Sequence, residues 1–457
     1  MAKPPWLLAA GAGLSLLAAT SPATARECPY WSGNGPGVYD GQNGLTESYA
    51  QHVDQAGLGG LRLGFRIDTQ TSWDQALFDQ YDAYLAVAKE HGLDVMAIVL
   101  YESTPPSAGG QAQWNSGYDS SGYSAYVQAF VDTAKTLMDR YGDQIKYWEI
   151  WNEPNAWTNP SYASDPTQAG GTYILPQVYA KMLTETFVQA NATIEAKGLH
   201  LVTGGLFAHD IGGGFSPATD YAQQVYQDGP WDWMQANYGR RYPWDGFGYH
   251  IYIDQGGATT SAHILQYIDA IQQLKVQQSD YVPLWITEFG WQAPKNVSEQ
   301  QQAANLDLAL QTFESRGDVA RTFVFKVDDY DDWGIFRGDW SAKPAVATYR
   351  MHDMGCTPIA PKPLPDGGSD AGGDGAAPGG SGDDASVAPG GGGGDDGGGA
   401  GAAGDGGGPG NGDSASSGAS SGCGCRVVPE SGGRSSAAVA LALAALVAGR
   451  RRRSPAR

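Results

Sequence analysis

Between residues 29 and 352, short apolar runs alternate with stretches whose apolar residues recur at helical spacing, and this alternation constrains the fold more than any other feature. Val95 to Leu100 is a continuous apolar run, as expected of a parallel strand covered on both faces. Leu58 to Ile67 is a second strand, with Arg62 and Arg66 embedded in it. Leu77, Tyr81, Tyr84, Leu85 and Ala88 then share one helical face, closed by Gly92. Tyr126, Phe130, Ala134, Leu137 and Tyr141 form the next helical stripe, Val178 to Ile194 a third, and Ile264, Ile268, Ile271 and Leu274 a fourth. Ser298 with Gln301 reads as a capping box opening a helix through Leu306, Leu310 and Phe313. Further strands are expected at Leu199 to Phe207, Phe247 to Ile253 and Arg321 to Val327, and a first one near Pro29 to Gly35. Eight such units predict an α/β fold, a closed (β/α)8 TIM barrel whose site lies at the carboxyl ends of its strands.

Two of the strands end in a carboxylate. In KYWEIWNEPN, residues 146–155, the residues Tyr147, Trp148, Ile150 and Trp151 favour a strand, and Pro154 has no N–H to give a ladder. The two-residue period puts Glu149, Trp151 and Glu153 on one face. In PLWITEFGW, residues 283–291, a short apolar strand closes on Glu288, and Gly290 turns the chain. A single buried glutamate is as readily half of a structural ion pair. Two glutamates on two strand ends are what cleavage of a glycosidic bond needs: one protonates the leaving oxygen, the other attacks the anomeric carbon or activates water.

WNEPN followed further along by WITEFGW resembles the clan A retaining glycoside hydrolases, the (β/α)8 group that includes families 5 and 39, over residues 29–352. The resemblance implies that Glu153 is the acid/base and Glu288 the nucleophile. It further implies that Arg62 contacts the nucleophile (Arg66 being the alternative), that Tyr252 hydrogen-bonds it, and that Asn152 binds the sugar 2-hydroxyl. A cation and hydrogen bonds are expected to hold the Glu288 pKa down, while a less polar wall and the Glu288 charge raise that of Glu153. Glu149 lies deeper and requires a cation partner, such as an arginine. His250 either lines the cleft or packs as a neutral core residue. Trp151, Trp157, Trp244, Trp291 and Trp333 are candidate platforms for the flat faces of sugars. The chain departs from the clan in FKVDDYDDW, residues 325–333, which lacks the strand-end tryptophan that floors the cleavage subsite; Trp333 is expected to substitute from the loop. The substrate-binding candidates are therefore Asn152, Arg62, His250, Tyr252, Trp291 and Trp333.

The ends of the chain are of different material. Lys3, the apolar run Trp6 to Ala19 and the small-residue site Ala23-Thr24-Ala25 predict a signal peptide over residues 1–25 and an exported protein. Residues 26–356 form the expected catalytic domain. Cys28 and Cys356 bracket it, and in an exported protein they are expected to pair as a disulfide. Residues 357–422, rich in Gly, Asp, Ser, Ala and Pro and without an aromatic residue, read as a disordered acidic linker. The nine Asp residues of this stretch supply much of the net charge of −21, which therefore says little about substrate. Residues 423–457 join Cys423 and Cys425 to an apolar run, Ala437 to Ala448, and to Arg450 through Arg453. They resemble myxobacterial carboxyl-terminal sorting segments, which implies engagement of the membrane and of sorting machinery at the outer cell surface.

A retaining β-glycosidase acting on a polysaccharide or oligosaccharide is the reading these features favour. The alternative is a catalytically inert barrel that binds polysaccharide at the cell surface. No cofactor, nucleic-acid partner or metal is expected, since no His or Cys cluster with ligand spacing accompanies the cysteines, and the chain is expected to be a monomer.

Overall fold

The computed structural model describes residues 31–34, 44–67, 70–115, 124–156, 172–329 and 332–352. The signal segment, Cys28, Cys356, Trp157, the linker and the carboxyl-terminal segment lie outside the described residues. Nine strands make one sheet: β1 Trp31–Asn34, β2 Gly60–Phe65, β3 Asp94–Val99, β4 Tyr147–Ile150, β5 His200–Thr203, β6 Leu206–His209, β7 Phe247–Tyr252, β8 Leu284–Phe289 and β9 Val319–Val324. The helices among the described residues are α1 Glu47–Gln55, α2 Gln75–Glu90, α3 Gln111–Trp114, α4 Ala125–Tyr141, α5 Pro176–Lys197, α6 Thr219–Asp228, α7 Trp231–Tyr238, α8 Ser261–Gln277, α9 Glu299–Glu314 and α10 Pro344–Met351.

The strands lie in the order β5-β4-β3-β2-β1-β9-β8-β7-β6, each pairing being parallel. The expected single strand from Leu199 to Phe207 is two strands, because the ladder changes partner at Gly204-Gly205. β5 pairs with β4, whereas β6 pairs with β7. A parallel bridge between Val202 and Gly246, with the Thr203 N–H donating to the Gly246 carbonyl at 3.1 Å, joins the two ends of the sheet. The sheet thus closes on itself, and β5 and β6 together fill the fifth of eight barrel positions. A side chain is impossible at the junction: a Cβ on Gly205 would stand 2.1 Å from His250 Nε2 and 2.5 Å from Thr287 Oγ1.

The helices begin where a hydroxyl or carboxylate can take an orphan N–H. Thr46, Asp74, Ser124, Thr260 and Ser298 each accept from the backbone three residues on. The capping box at α9 is half formed, since the Gln301 side chain turns to Asn305 Oδ1 at 2.8 Å. The expected stripe of α2 (Leu77, Tyr81, Tyr84, Leu85, Ala88) is its buried face, and that of α4 is buried likewise. Leu61, Leu63 and Phe65 of β2 join the main core with these helices. Met96, Val202, Trp285 and Phe323, from β3, β5, β8 and β9, form a separate apolar cluster.

A charged layer, also contributed by the strands, is centred on Glu149, which is fully buried. It is ion-paired with Arg62 Nε of β2, and its Oε1 accepts from the Gly205 N–H at 2.9 Å and from Thr287 Oγ1 of β8 at 3.0 Å. One carboxylate therefore ties together β2, β4, the β5–β6 junction and β8. Burying charge is costly unless its lone pairs are satisfied, and here three donors satisfy them. Glu149→Ala strands those donors at about 1–3 kcal/mol each. The expected outcome is a fall in stability of roughly 3 kcal/mol or more, read from the urea unfolding midpoint. A variant within roughly 0.5 kcal/mol of wild type contradicts this role for Glu149.

Candidate active site

β4 ends at Ile150, and the next residues fold into a turn that is tied to β3 at its start, where the Trp151 N–H donates to the Val99 carbonyl at 2.7 Å. Trp151 (φ 78°) and Glu153 (φ 43°) both adopt the left-handed region, a conformation costing about 1–3 kcal/mol for a non-glycine residue and held only where the surroundings over-determine it. The surroundings here do. The Trp151 ring is buried among Trp114 at 4.8 Å, Phe130 at 5.6 Å and Tyr101 at 6.0 Å, and its Nε1–H donates to the Thr172 carbonyl at 2.8 Å. Thr172 Oγ1 donates in turn to the Glu153 carbonyl at 2.8 Å. Asn155 closes the turn by exchanging two hydrogen bonds of 2.8 Å with the backbone of Phe207 on β6.

The turn presents Glu153, 8% exposed, opposite Glu288 of β8, 6% exposed. Arg62 organises both. Its Nη1 meets Glu288 Oε1 at 2.6 Å and its Nη2 donates to Asn152 Oδ1 at 2.9 Å, while Nε holds Glu149. Tyr252 of β7 donates its hydroxyl to Glu288 Oε2 at 2.6 Å. His250, two residues earlier on the same strand, places Nδ1 at 2.9 Å from Glu153 Oε1 and at 3.6 Å from Glu288 Oε2. One carboxylate oxygen of each glutamate and the His250 nitrogen all lie within 4.8 Å of one another.

The electrostatics follow from burial and from Arg62. Burial and the nearby guanidinium push the His250 imidazole well below its usual range, so it is neutral. Its Nε2 is buried without a hydrogen-bond partner, against Gly205. Burial raises the Glu288 carboxyl above the ordinary glutamate range; the Arg62 charge and the Tyr252 bond pull it down, and the Glu149 charge pushes it up. The expectation of a depressed Glu288 pKa is thus corrected: complete desolvation outweighs a guanidinium already shared with Glu149.

The structure brings Arg62, Asn152, Glu153, His250, Tyr252 and Glu288 together, and Glu149 pairs with Arg62. His250 is fully buried beside Glu153 and does not line the open cleft. Arg66 pairs instead with Glu102 at 3.2 Å. The tryptophans fare differently. Trp291 is 2% exposed, with its Nε1–H on the Ile253 carbonyl at 3.0 Å, so it is a core residue and not a sugar platform. Trp151 and Trp244 are buried too, the latter bonded to Asp280 at 2.9 Å. Trp333 reaches the site but stands edge-on to Tyr252 at 5.2 Å and to Phe325 at 5.6 Å, 3% exposed, a buttress for Tyr252 more than an open floor. Sequence reasoning missed Thr172, Asn155, Phe207, His209 and Thr287; Asn155 alone had a visible signal, as the last residue of WNEPN.

Two groups of side chains bring acidic and imidazole atoms to within 4.8 Å of one another among the described residues. In the first, Glu153, His250 and Glu288, the Arg62 charge already occupies Glu288 and opposes a cation. In the second, Asp254 bonds to both others: its N–H donates to Asp210 Oδ2 at 2.8 Å, and its Oδ2 lies 2.8 Å from His263 Nδ1. These contacts fasten the loops after β6 and β7 together.

Residues 211–336 match the family model described as glycosyl hydrolase catalytic core. A stretch of 123 residues, 27% of this chain, is 24% identical to the beta-glucosidase-like protein SFR2, chloroplastic, of Oryza sativa subsp. japonica, and spans 18% of that protein's length. Among solved structures, a GH5_18 protein of Streptomyces cattleya in complex with Manβ1-4GlcNAc superposes with a TM-score of 0.51 at 15% identity, over 71% of this chain and 80% of that one. A GH10 xylanase from Bispora sp. MEY-1 with xylobiose gives a TM-score of 0.48 at 16% identity, over 71% and 96%. At such identities the first likeness speaks for the fold. The chain shares the barrel fold of that structure, and the stretch that matches the glycosyl hydrolase catalytic core, residues 211–336, includes the strands that carry His250, Tyr252 and Glu288.

Proposed function

We propose that this chain is a retaining β-glycosidase that hydrolyses O-glycosidic bonds of a polysaccharide or oligosaccharide by double displacement. One observation carries the reading: Glu153 and Glu288 face each other from two strand ends, with carboxylate oxygens within 4.8 Å. Retaining enzymes hold their carboxyl groups about 5–5.5 Å apart, whereas inverting ones need about 6.5–9.5 Å to admit a water between them.

The chemistry follows from the partners of each group. Glu288, aligned by Arg62 and Tyr252, attacks the anomeric carbon as a carboxylate, while Glu153 gives its proton to the leaving oxygen. A glycosyl ester of Glu288 results. Glu153, now ionised, takes a proton from water, which attacks the same carbon and releases Glu288. Neutral His250 aims Glu153 and, unlike an imidazolium, does not hold it permanently ionised. Asn152, its oxygen fixed by Arg62, keeps an amide nitrogen for the sugar 2-hydroxyl, a bond that strengthens in the transition state. We further propose that the protein is exported and held at the outer surface by residues 423–457, with Cys28 bonded to Cys356. A free thiol at either cysteine in the mature protein, found by mass spectrometry, refutes that clasp.

Purified protein screened on glucans, xylans, mannans and bacterial exopolysaccharides is expected to release sugar from at least one of them; a barrel that binds such a polymer without turnover would be the inert alternative. Glu288→Gln is expected to abolish turnover with an unchanged circular dichroism spectrum. Glu153→Gln is expected to slow the natural substrate by roughly 10²–10⁴-fold. On a substrate with a good leaving group the same variant should accumulate the glycosyl enzyme, and azide should restore turnover by forming the β-glycosyl azide. Inverted product, or normal turnover by both variants, contradicts the assigned roles.

The pH profile adds a separate check. Glu288 must be ionised to attack and its pKa is raised, so activity is lost as pH falls through a value above the ordinary glutamate range. An acid limb of kcat/KM below pH ~4.3, the unperturbed glutamate value, contradicts this environment for Glu288.

A further inference from the structure

We propose that Phe207 and His209, on β6, form the subsite that receives the leaving-group sugar, an inference that rests on the glycosidase reading above. The two side chains share one face of β6, where burial alternates: Leu206 and Ala208 are buried, Phe207 and His209 only half-buried. Their rings lie 4.7 Å apart, and the Phe207 ring lies 5.8 Å from Tyr252, the residue that holds Glu288. The backbone of Phe207 is locked to Asn155, in the same turn as Glu153, by two hydrogen bonds of 2.8 Å. Phe207 is therefore fixed relative to both glutamates, and a half-exposed aromatic ring so rigidly placed offers a flat apolar face.

His209 supplies the polar half. The Ile211 N–H donates to His209 Nδ1 at 3.2 Å, and a backbone N–H can only donate. The neutral ring must then carry its hydrogen on Nε2. Burial lowers the His209 pKa, so the neutral form is the one present near pH 7. Nε2 has no protein partner among the described residues and is not among their buried unpartnered atoms, so it presents a single fixed N–H donor to solvent. An apolar ring beside one oriented donor matches a pyranose, which has an apolar face and a rim of hydroxyl oxygens.

The side of the cleft follows from Arg62. Arg62 stands on β2 and fixes Asn152, whose amide is assigned to the sugar being transferred. The leaving sugar must then lie on the other flank of Glu153, where Asn155 clasps β6.

The test compares kcat/KM on two substrates with the same transferred sugar. One is whichever cello-, laminari-, xylo- or manno-oligosaccharide the full chain cleaves; the other is the corresponding β-glycosyl fluoride, whose leaving group has no ring to stack. Phe207→Ala and His209→Ala are each expected to lower the oligosaccharide-to-fluoride ratio, roughly 10- to 100-fold for the aromatic ring. His209→Gln, which keeps an N–H donor, should recover part of the loss. An unchanged ratio overturns the subsite, whether both rates stay the same or both fall together. A wild-type chain that cleaves none of the oligosaccharides and neither fluoride nor polymer overturns the glycosidase reading and this subsite with it, whereas cleavage with an unchanged ratio leaves the glycosidase standing.

Discussion

The Arg62 guanidinium is the contact on which the site and much of the barrel depend. Its three nitrogens reach Glu149, Glu288 and Asn152, which lie on β4, β8 and the turn after β4. A planar, always-charged fork is suited to this, whereas a lysine offers one point charge to three acceptors. Because the positive charge is shared between two carboxylates, Glu288 is less stabilised as an anion than a private ion pair would make it. Burial and the same guanidinium charge keep His250 neutral beside Glu153. One side chain thus sets the position of Glu288 and its readiness to ionise.

Rigidity around Arg62 comes from backbone that only particular residues allow. Gly205 lets the His250 ring and the Thr287 hydroxyl approach the β5–β6 junction, and Glu149 then accepts from that junction. Trp151 and Glu153 hold left-handed conformations because an aromatic cage and the Thr172 and Asn155 contacts leave the turn no alternative. The energy spent on this strain is offset by the core, and the result is a pair of carboxylates whose nearest oxygens lie within 4.8 Å of one another.

Much of this was legible in the chain. Continuous apolar runs alternating with helical stripes announced a parallel barrel, since strands covered on both faces cannot alternate polar and apolar residues. The two strand-end glutamates were legible as a pair: one alone is as readily structural, whereas two closing separate strands fit cleavage of a glycosidic bond. Arg62 and Arg66 were both visible as charges inside a strand, and only the resemblance favoured Arg62. What was hidden depends on distance in space. The split of the fifth strand lies in a change of partner at Gly204-Gly205, which local pattern cannot report. The tryptophans misled because an indole at a strand end looks alike in sequence whether its N–H meets a sugar or, as with Trp291, the Ile253 carbonyl. Phe207 and His209 read as the ordinary end of a strand until β6 stood beside Tyr252. The raised Glu288 pKa needed the knowledge that the carboxyl is fully buried in the folded barrel, beside Glu149.

In the proposed double displacement, Glu288 becomes covalently bound to the sugar while Glu153 serves it with protons. The most direct measurement is to incubate the protein with a 2-deoxy-2-fluoro glycoside of the sugar it cleaves, bearing a dinitrophenolate leaving group, then digest it and map the labelled peptide by mass spectrometry. One glycosyl adduct per chain is expected, on Glu288 within PLWITEFGW. A label on Glu153, or hydrolysis of the natural bond with inversion and no adduct at all, contradicts it.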